Sequence, residues 1–129
     1  MEQKQSVKTG LFLFGIAILI AGLWYWTKPE KATEISSDII LFYGQECPHC
    51  RDVDKFLEEN RIAEKVKFDR LEVFHNQANG EILAEKARKC GIENEKEIGV
   101  PFLYDIQKNQ CFTGTPEIED FFAEKTQLR

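Results

Sequence analysis

Two thiols stand three residues apart in Cys47-Pro48-His49-Cys50, with a proline and a histidine between them. At the start of a helix that spacing puts both sulfurs on one face, within bridging distance, so the pair could open and close a disulfide. A helix N-terminus carries about half a positive charge and unpaired N–H groups, both of which stabilise a thiolate. Cys47 falls at or just before the first turn, so its acidity should rise most and it should be the attacking sulfur. Cys50, further along the helix, should be more buried and should resolve the mixed disulfide. Pro48 suits the first helical turn because it has no N–H to leave unpaired there. A partly protonated His49 beside Cys47 should favour the thiolate further, stabilising the reduced form and making the disulfide a stronger oxidant.

This chemistry needs no metal and no cofactor, and none is expected. A zinc site is the competing use of the same residues, with Cys90, Cys111 or His75 as the further ligands. Structural zinc usually takes two closely spaced ligand pairs. Cys90 and Cys111 lie too far apart in the sequence to form the second one. An inert Cys47–Cys50 bridge would close so short a loop that it would stabilise little. Cys90 and Cys111 make the cysteine number even, which in an oxidising compartment points to a second disulfide. Two buried free thiols, or a relay passing electrons to the first pair, stay open beside it. His75 reads as a surface residue at a strand-to-helix turn.

The elements that would hold the pair follow from periodicity. Residues 39–43 (IILFY) form a continuous apolar run ended by Gly44, the pattern of a strand buried on both faces. A helix should run from Pro48 to about Ala63, with Val53, Phe56, Leu57 and Ile62 inward. Residues 66–73 alternate with period two and read as a second strand. Residues 76–90 read as a second helix with Ile82, Leu83 and Ala87 inward. Lys86, Arg88 and Lys89 complement its C-terminal dipole and Gly91 ends it. Residues 100–104 and 110–113 should pair as a hairpin across Lys108-Asn109. Thr115 should cap a last helix with Pro116 at its first position and Ile118, Phe121 and Phe122 buried. The acidic run 93–97 (ENEKE) reads as a solvated loop. The order is β-α-β-α-β-β-α, an α/β fold on a mixed four-stranded sheet, since a strand–helix–strand crossover makes the first two strands parallel.

Ahead of that domain the sequence changes character. Residues 11–26 (LFLFGIAILIAGLWYW) carry no charge, and with their neighbours they approach the span of a hydrocarbon core of about 30 Å. Trp24, Tyr25 and Trp26 then sit where an interfacial aromatic belt belongs. The organisation expected is a short tail at 1–10, one transmembrane anchor at 11–27, a polar tether at 28–38 and the folded domain at 39–129. A cleaved signal peptide is the alternative, disfavoured because bulky residues 23–26 occupy the cleavage position. Lysines flank the run on both sides, Lys4 and Lys8 against Lys28 and Lys31, so charge counting barely orients it. The redox chemistry favours the outside of the cytoplasm for the domain. The net charge of −5 argues against a nucleic-acid partner. Beyond residue 35 the chain keeps 13 basic and 19 acidic residues, so attachment to an anionic membrane must come from the anchor alone.

The segment 42–50 (FYGQECPHC), followed about fifty residues later by Gly99-Val100-Pro101, resembles the thioredoxin superfamily. The Cys-Pro-His-Cys motif with a Val-Pro dipeptide is similar to the DsbA-type disulfide oxidases of the bacterial periplasm. The small size is closer to the thioredoxin-like partner domains of the quinone-linked VKOR-type membrane oxidases. The resemblance covers about 39 to 125 and implies a minimal thioredoxin/glutaredoxin-like fold after one transmembrane helix. It implies that Pro101 follows a cis bond beside the disulfide, and that Val100 offers backbone groups to an extended protein client by strand addition. It implies thiol–disulfide exchange with protein clients, with a quinone-linked membrane oxidase or a membrane reductant as redox partner. Three departures stand out. The helical insertion of the larger oxidases is missing, Leu41 replaces a buried carboxylate of many relatives, and Glu46 replaces an aromatic residue. The expected role is an extracytoplasmic oxidant. A reductase serving cytochrome or copper-site assembly, or a non-catalytic metal-binding module, are the competing functions.

Overall fold

The computed structural model describes residues 2–27 and 30–128, with side chains in the first helix described from Gly10 onward. Two compact units divide the chain, one ending at Glu30 and one beginning at Lys31.

The first unit holds one helix, α1 (Glu2–Trp26). Residues 2–10, expected as a tail, continue this helix, because they hold no proline and only one glycine. Its described side chains are exposed, and from Leu11 to Trp26 they are apolar on every side. Among the described residues no helix is long and apolar enough to cross a membrane. The described side chains of α1 occupy residues 10–26, about 26 Å of helix against a hydrocarbon core of about 30 Å.

In the second unit, β1 (Ile39–Tyr43), β2 (Asp69–Glu72), β3 (Phe102–Asp105) and β4 (Gln110–Thr113) form one sheet in the order β2-β1-β3-β4. β1 runs parallel to β2, with Ile40 beside Asp69, and antiparallel to β3, with Leu41 opposite Leu103. β3 and β4 form the hairpin, and Asn109 takes the left-handed conformation at its turn. The continuous apolar run of β1 is explained by its position. Ile39 and Leu41 face a core shared with Val53, Leu57, Ile118 and Phe122, while Ile40 and Phe42 face Leu71, Leu83, Ala87 and Phe102 on the other side. α2 (Pro48–Glu59) and α5 (Gly114–Lys125) cover the first face, and α4 (Gln77–Lys89) covers the second.

The structure departs from the sequence reading at element ends. The helix expected to reach Ala63 stops at Glu59, and a single turn, α3 (Ile62–Lys65), follows. Asn60 Nδ2 donates to the Phe56 carbonyl at 2.9 Å, Arg61 turns left-handed at φ 52°, and the redirected chain buries Ile62 completely. β2 is shorter than the period-two stretch, its pairing with β1 beginning at Ile40–Asp69, and Phe68 packs on Phe122, ring centroids 5.0 Å apart. The last helix starts at Gly114, one residue before the expected cap. Glu117 reaches back to accept the Thr113 N–H at 2.9 Å, and the Thr115 hydroxyl donates elsewhere.

Residues 31–38, expected as a tether, belong to the compact unit. The buried Asn79 accepts the Thr33 N–H at 2.8 Å and donates to the Glu72 carbonyl at 2.9 Å. Asp69 accepts the N–H groups of Ser36 and Ser37, each at 2.7 Å. Burial pushes the Asp69 carboxyl up, but the bonds from Ser37 and Ser36 outweigh it and hold it below the usual carboxylate range.

Candidate active site

β1 delivers the chain to Gly44, where a tight turn begins. The Cys47 N–H donates to the Gly44 carbonyl at 3.1 Å, which closes that turn. A Cβ on Gly44 would fall 2.4 Å from the Phe74 ring, so glycine lets this aromatic lie against the turn where any other residue would displace it. Cys47 is then the N-cap of α2, in extended conformation, with Pro48 in the first turn. Its sulfur accepts the Cys50 N–H at 3.2 Å. A thiolate there takes up one of the four donors that a helix start leaves unpaired.

Both cysteines are free thiols, and they differ in surroundings. Cys50 is 2% exposed and Cys47 is 6% exposed. Burial, and then the hydrogen bond with Cys47, pushes the Cys50 thiol up to about 12. Cys50 thus stays protonated near neutral pH. A groove of about 510 Å³ opens beside the pair, and it is lined by Cys47 but not by Cys50. An incoming sulfur meets Cys47 first.

The opposite wall is the chain before β3. The Val100–Pro101 peptide bond is cis. The Cys47 sulfur lies 3.5 Å from the Val100 carbonyl oxygen, and the Pro101 carbonyl accepts the Gly114 N–H at 3.1 Å. The Thr115 hydroxyl donates to the His49 carbonyl at 3.2 Å, tying the head of α5 to the first turn of α2. Cys47, Pro48 and Val100 therefore line one groove, with Pro101 joined to Val100 by the cis bond.

His49 sits differently from expectation. Its ring is exposed, with Nδ1 3.9 Å from the Asp52 carboxylate, and among the described residues it makes no hydrogen bond to either thiol. Glu46, the residue before Cys47, instead meets His75, with Oε1 2.7 Å from Nε2. His75 lies on the surface at the strand-to-helix turn, and no local pattern announces a partner 29 positions away. Glu72, at the end of β2, was also missed. Its carboxylate accepts the N–H groups of Gln45 at 3.2 Å, Phe74 at 3.0 Å and His75 at 2.8 Å. It thereby ties the turn before Cys47 to the loop between β2 and α4. Burial pushes the Glu72 carboxyl up, but the three N–H groups outweigh it and hold it below the usual range. A lone acidic residue at a strand end carries no local signal for such a role.

Cys90 and Cys111 form a disulfide that joins the C-terminal cap of α4 to β4. Neither is then free to ligate zinc together with Cys47 and Cys50. Among the described residues no group of three or more His, Cys, Asp or Glu is placed to hold a metal ion. Leu41, at the position where a carboxylate was considered, is buried with Val53 and Leu57. Comparison with protein-family models, with curated proteins and with solved structures gave no match.

Proposed function

We propose that this chain is a thioredoxin-like thiol–disulfide oxidoreductase that acts on protein clients through Cys47 and Cys50, in the oxidising direction. One observation carries the reading. Cys47 caps a helix and faces an open groove beside a cis proline, while Cys50 lies behind it, buried and protonated. In the oxidised protein a client thiolate attacks the Cys47 sulfur, the Cys47–Cys50 bond breaks, and Cys50 leaves with the electron pair and takes a proton. A second client thiolate then attacks the client sulfur of the mixed disulfide and releases Cys47 as thiolate. The client gains a disulfide and the protein ends as the dithiol. A membrane oxidase linked to quinone would restore the disulfide.

The same proposal places the domain outside the cytoplasm, attached by α1, whose sixteen apolar residues at 11–26 offer no other evident use. Carbonate washing of membranes should leave the protein in the pellet, with its N-terminus intact. Release of a shortened, soluble chain points instead to a cleaved signal.

One observation favours the opposite direction of electron flow. His49 turns to Asp52, and the anionic Glu46 precedes Cys47, so neither supports the thiolate as a histidine beside it would. The protein would then act as a reductase. The residue roles are the same in both directions and are tested together. Cys50→Ser should accumulate mixed disulfides through Cys47, and Cys47→Ser should abolish exchange. Mixed disulfides trapped on Cys50 in Cys47→Ser reverse the assignment.

A further inference from the structure

Val100 stands between two grooves. The one on the Cys47 side is floored by Leu83 and Ile98 and walled by Phe74, with Glu95 at its rim. The other, of about 300 Å³, holds Glu97 beside Val100 and Pro101. No lysine or arginine lines either groove. Glu46 also lines the first, its carboxylate 2.7 Å from His75 Nε2.

Phe74 is 54% exposed, the most exposed large apolar side chain among the described residues of the second unit. It is not loose. Its ring lies on Gly44 and its N–H is bonded to Glu72 at 3.0 Å. An aromatic ring half bare, resting on the turn that leads to a nucleophilic sulfur, is a contact surface for an apolar group.

Resting on the oxidoreductase reading, we infer that the clients are extended segments with a bulky apolar residue next to the reactive cysteine and a lysine or arginine close by. The apolar side chain lies against Phe74 in the first groove. The basic one meets Glu95 at the rim of the same groove, with Glu97 adding negative charge in the neighbouring one. An acidic neighbour is disfavoured by the same two carboxylates, which supplies discrimination as well as attraction.

The test uses the oxidised full chain and blocked peptides with one cysteine each. The first peptide flanks it with leucine and lysine, the second with leucine and glutamate, the third with glycine and serine. Dithiothreitol serves as a small thiol that needs no groove. Each peptide thiolate attacks Cys47, and the mixed disulfide is quenched with acid and counted by mass spectrometry. The leucine–lysine peptide should react about tenfold faster than the glycine–serine peptide at low salt. Phe74→Ala should remove the advantage of leucine. Glu95→Gln with Glu97→Gln should remove that of lysine over glutamate, as should high salt. Dithiothreitol should react within about twofold of the wild-type rate in every variant, and circular dichroism with thermal unfolding checks that each remains folded. Equal peptide rates in the wild type, or preferences that survive the substitutions, overturn the inference while leaving the exchange chemistry standing. If dithiothreitol fails with the wild type as well, the oxidoreductase reading falls and takes this inference with it.

Discussion

The carboxylate of Glu46, the residue immediately before Cys47, lies 2.7 Å from Nε2 of His75 at the entrance to α4. This pair ties the residue before Cys47 to the loop between β2 and α4. Both side chains are well exposed, so the pair is worth about 0.2–1 kcal/mol. His75→Ala leaves Glu46 uncompensated, which disfavours a Cys47 thiolate and hence the reduced form. The reduction potential should fall, by no more than about 20 mV, taking about 30 mV per 1.4 kcal/mol. Glutathione equilibration of both proteins measures it, and Glu46→Gln should shift the potential the opposite way.

Glu72 makes a second connection between the same two loops. Glu72→Gln keeps the shape but removes the charge from three hydrogen bonds, at a cost of about 1–2 kcal/mol in urea unfolding. The pH dependence has a definite sign. The Glu72 carboxyl is held below its ordinary value of 4.5, so its stabilisation is complete above that pH and is lost as pH falls through the lower folded value. Wild-type stability should therefore drop below pH 4.5, and Glu72→Gln should show a shallower loss. Equal acid profiles for the two proteins contradict the role given to this carboxylate.

Cys50 makes a prediction at the alkaline end. Its thiol is raised from 9.0 to about 12, so the stabilisation it brings is whole below pH 9 and is lost as pH rises towards 12. Only the reduced protein has this thiol. Reduced protein should lose stability relative to oxidised protein between those limits, and Cys50→Ser should lack the loss. Iodoacetamide at pH 8 should label native reduced protein once, at Cys47, and Cys50 only after unfolding. Labelling of Cys50 in the native protein contradicts its place behind Cys47.

Much of the scaffold was legible because its signals are local. The run from Ile39 to Tyr43 is apolar at every position because both faces of β1 are covered. Cys47-Pro48 marks a helix start by capping and by the missing N–H. The order of the strands and the cis Val100–Pro101 bond follow the expectation, and Cys90 and Cys111 take the disulfide among the alternatives left open for them. What escaped depends on partners distant in the chain. Glu72 and His75 look like surface residues until the fold brings Gln45 and Glu46 to them. Thr33 to Ser37 read as a tether because their value lies in backbone N–H groups that Asn79 and Asp69 accept. Arg61 breaks a helix in the left-handed conformation without the glycine that usually announces it.

The reduction potential of the Cys47–Cys50 pair tests the central claim most directly, measured by mass spectrometry after equilibration in glutathione buffers. The account predicts a reversible loss of two hydrogens at these two cysteines. The midpoint should lie between about −120 and −270 mV and on the oxidising side of that interval. A midpoint near −270 mV contradicts the oxidising direction and makes the protein a reductase. A pair that stays a dithiol, or stays a disulfide, across the whole range contradicts the exchange function itself.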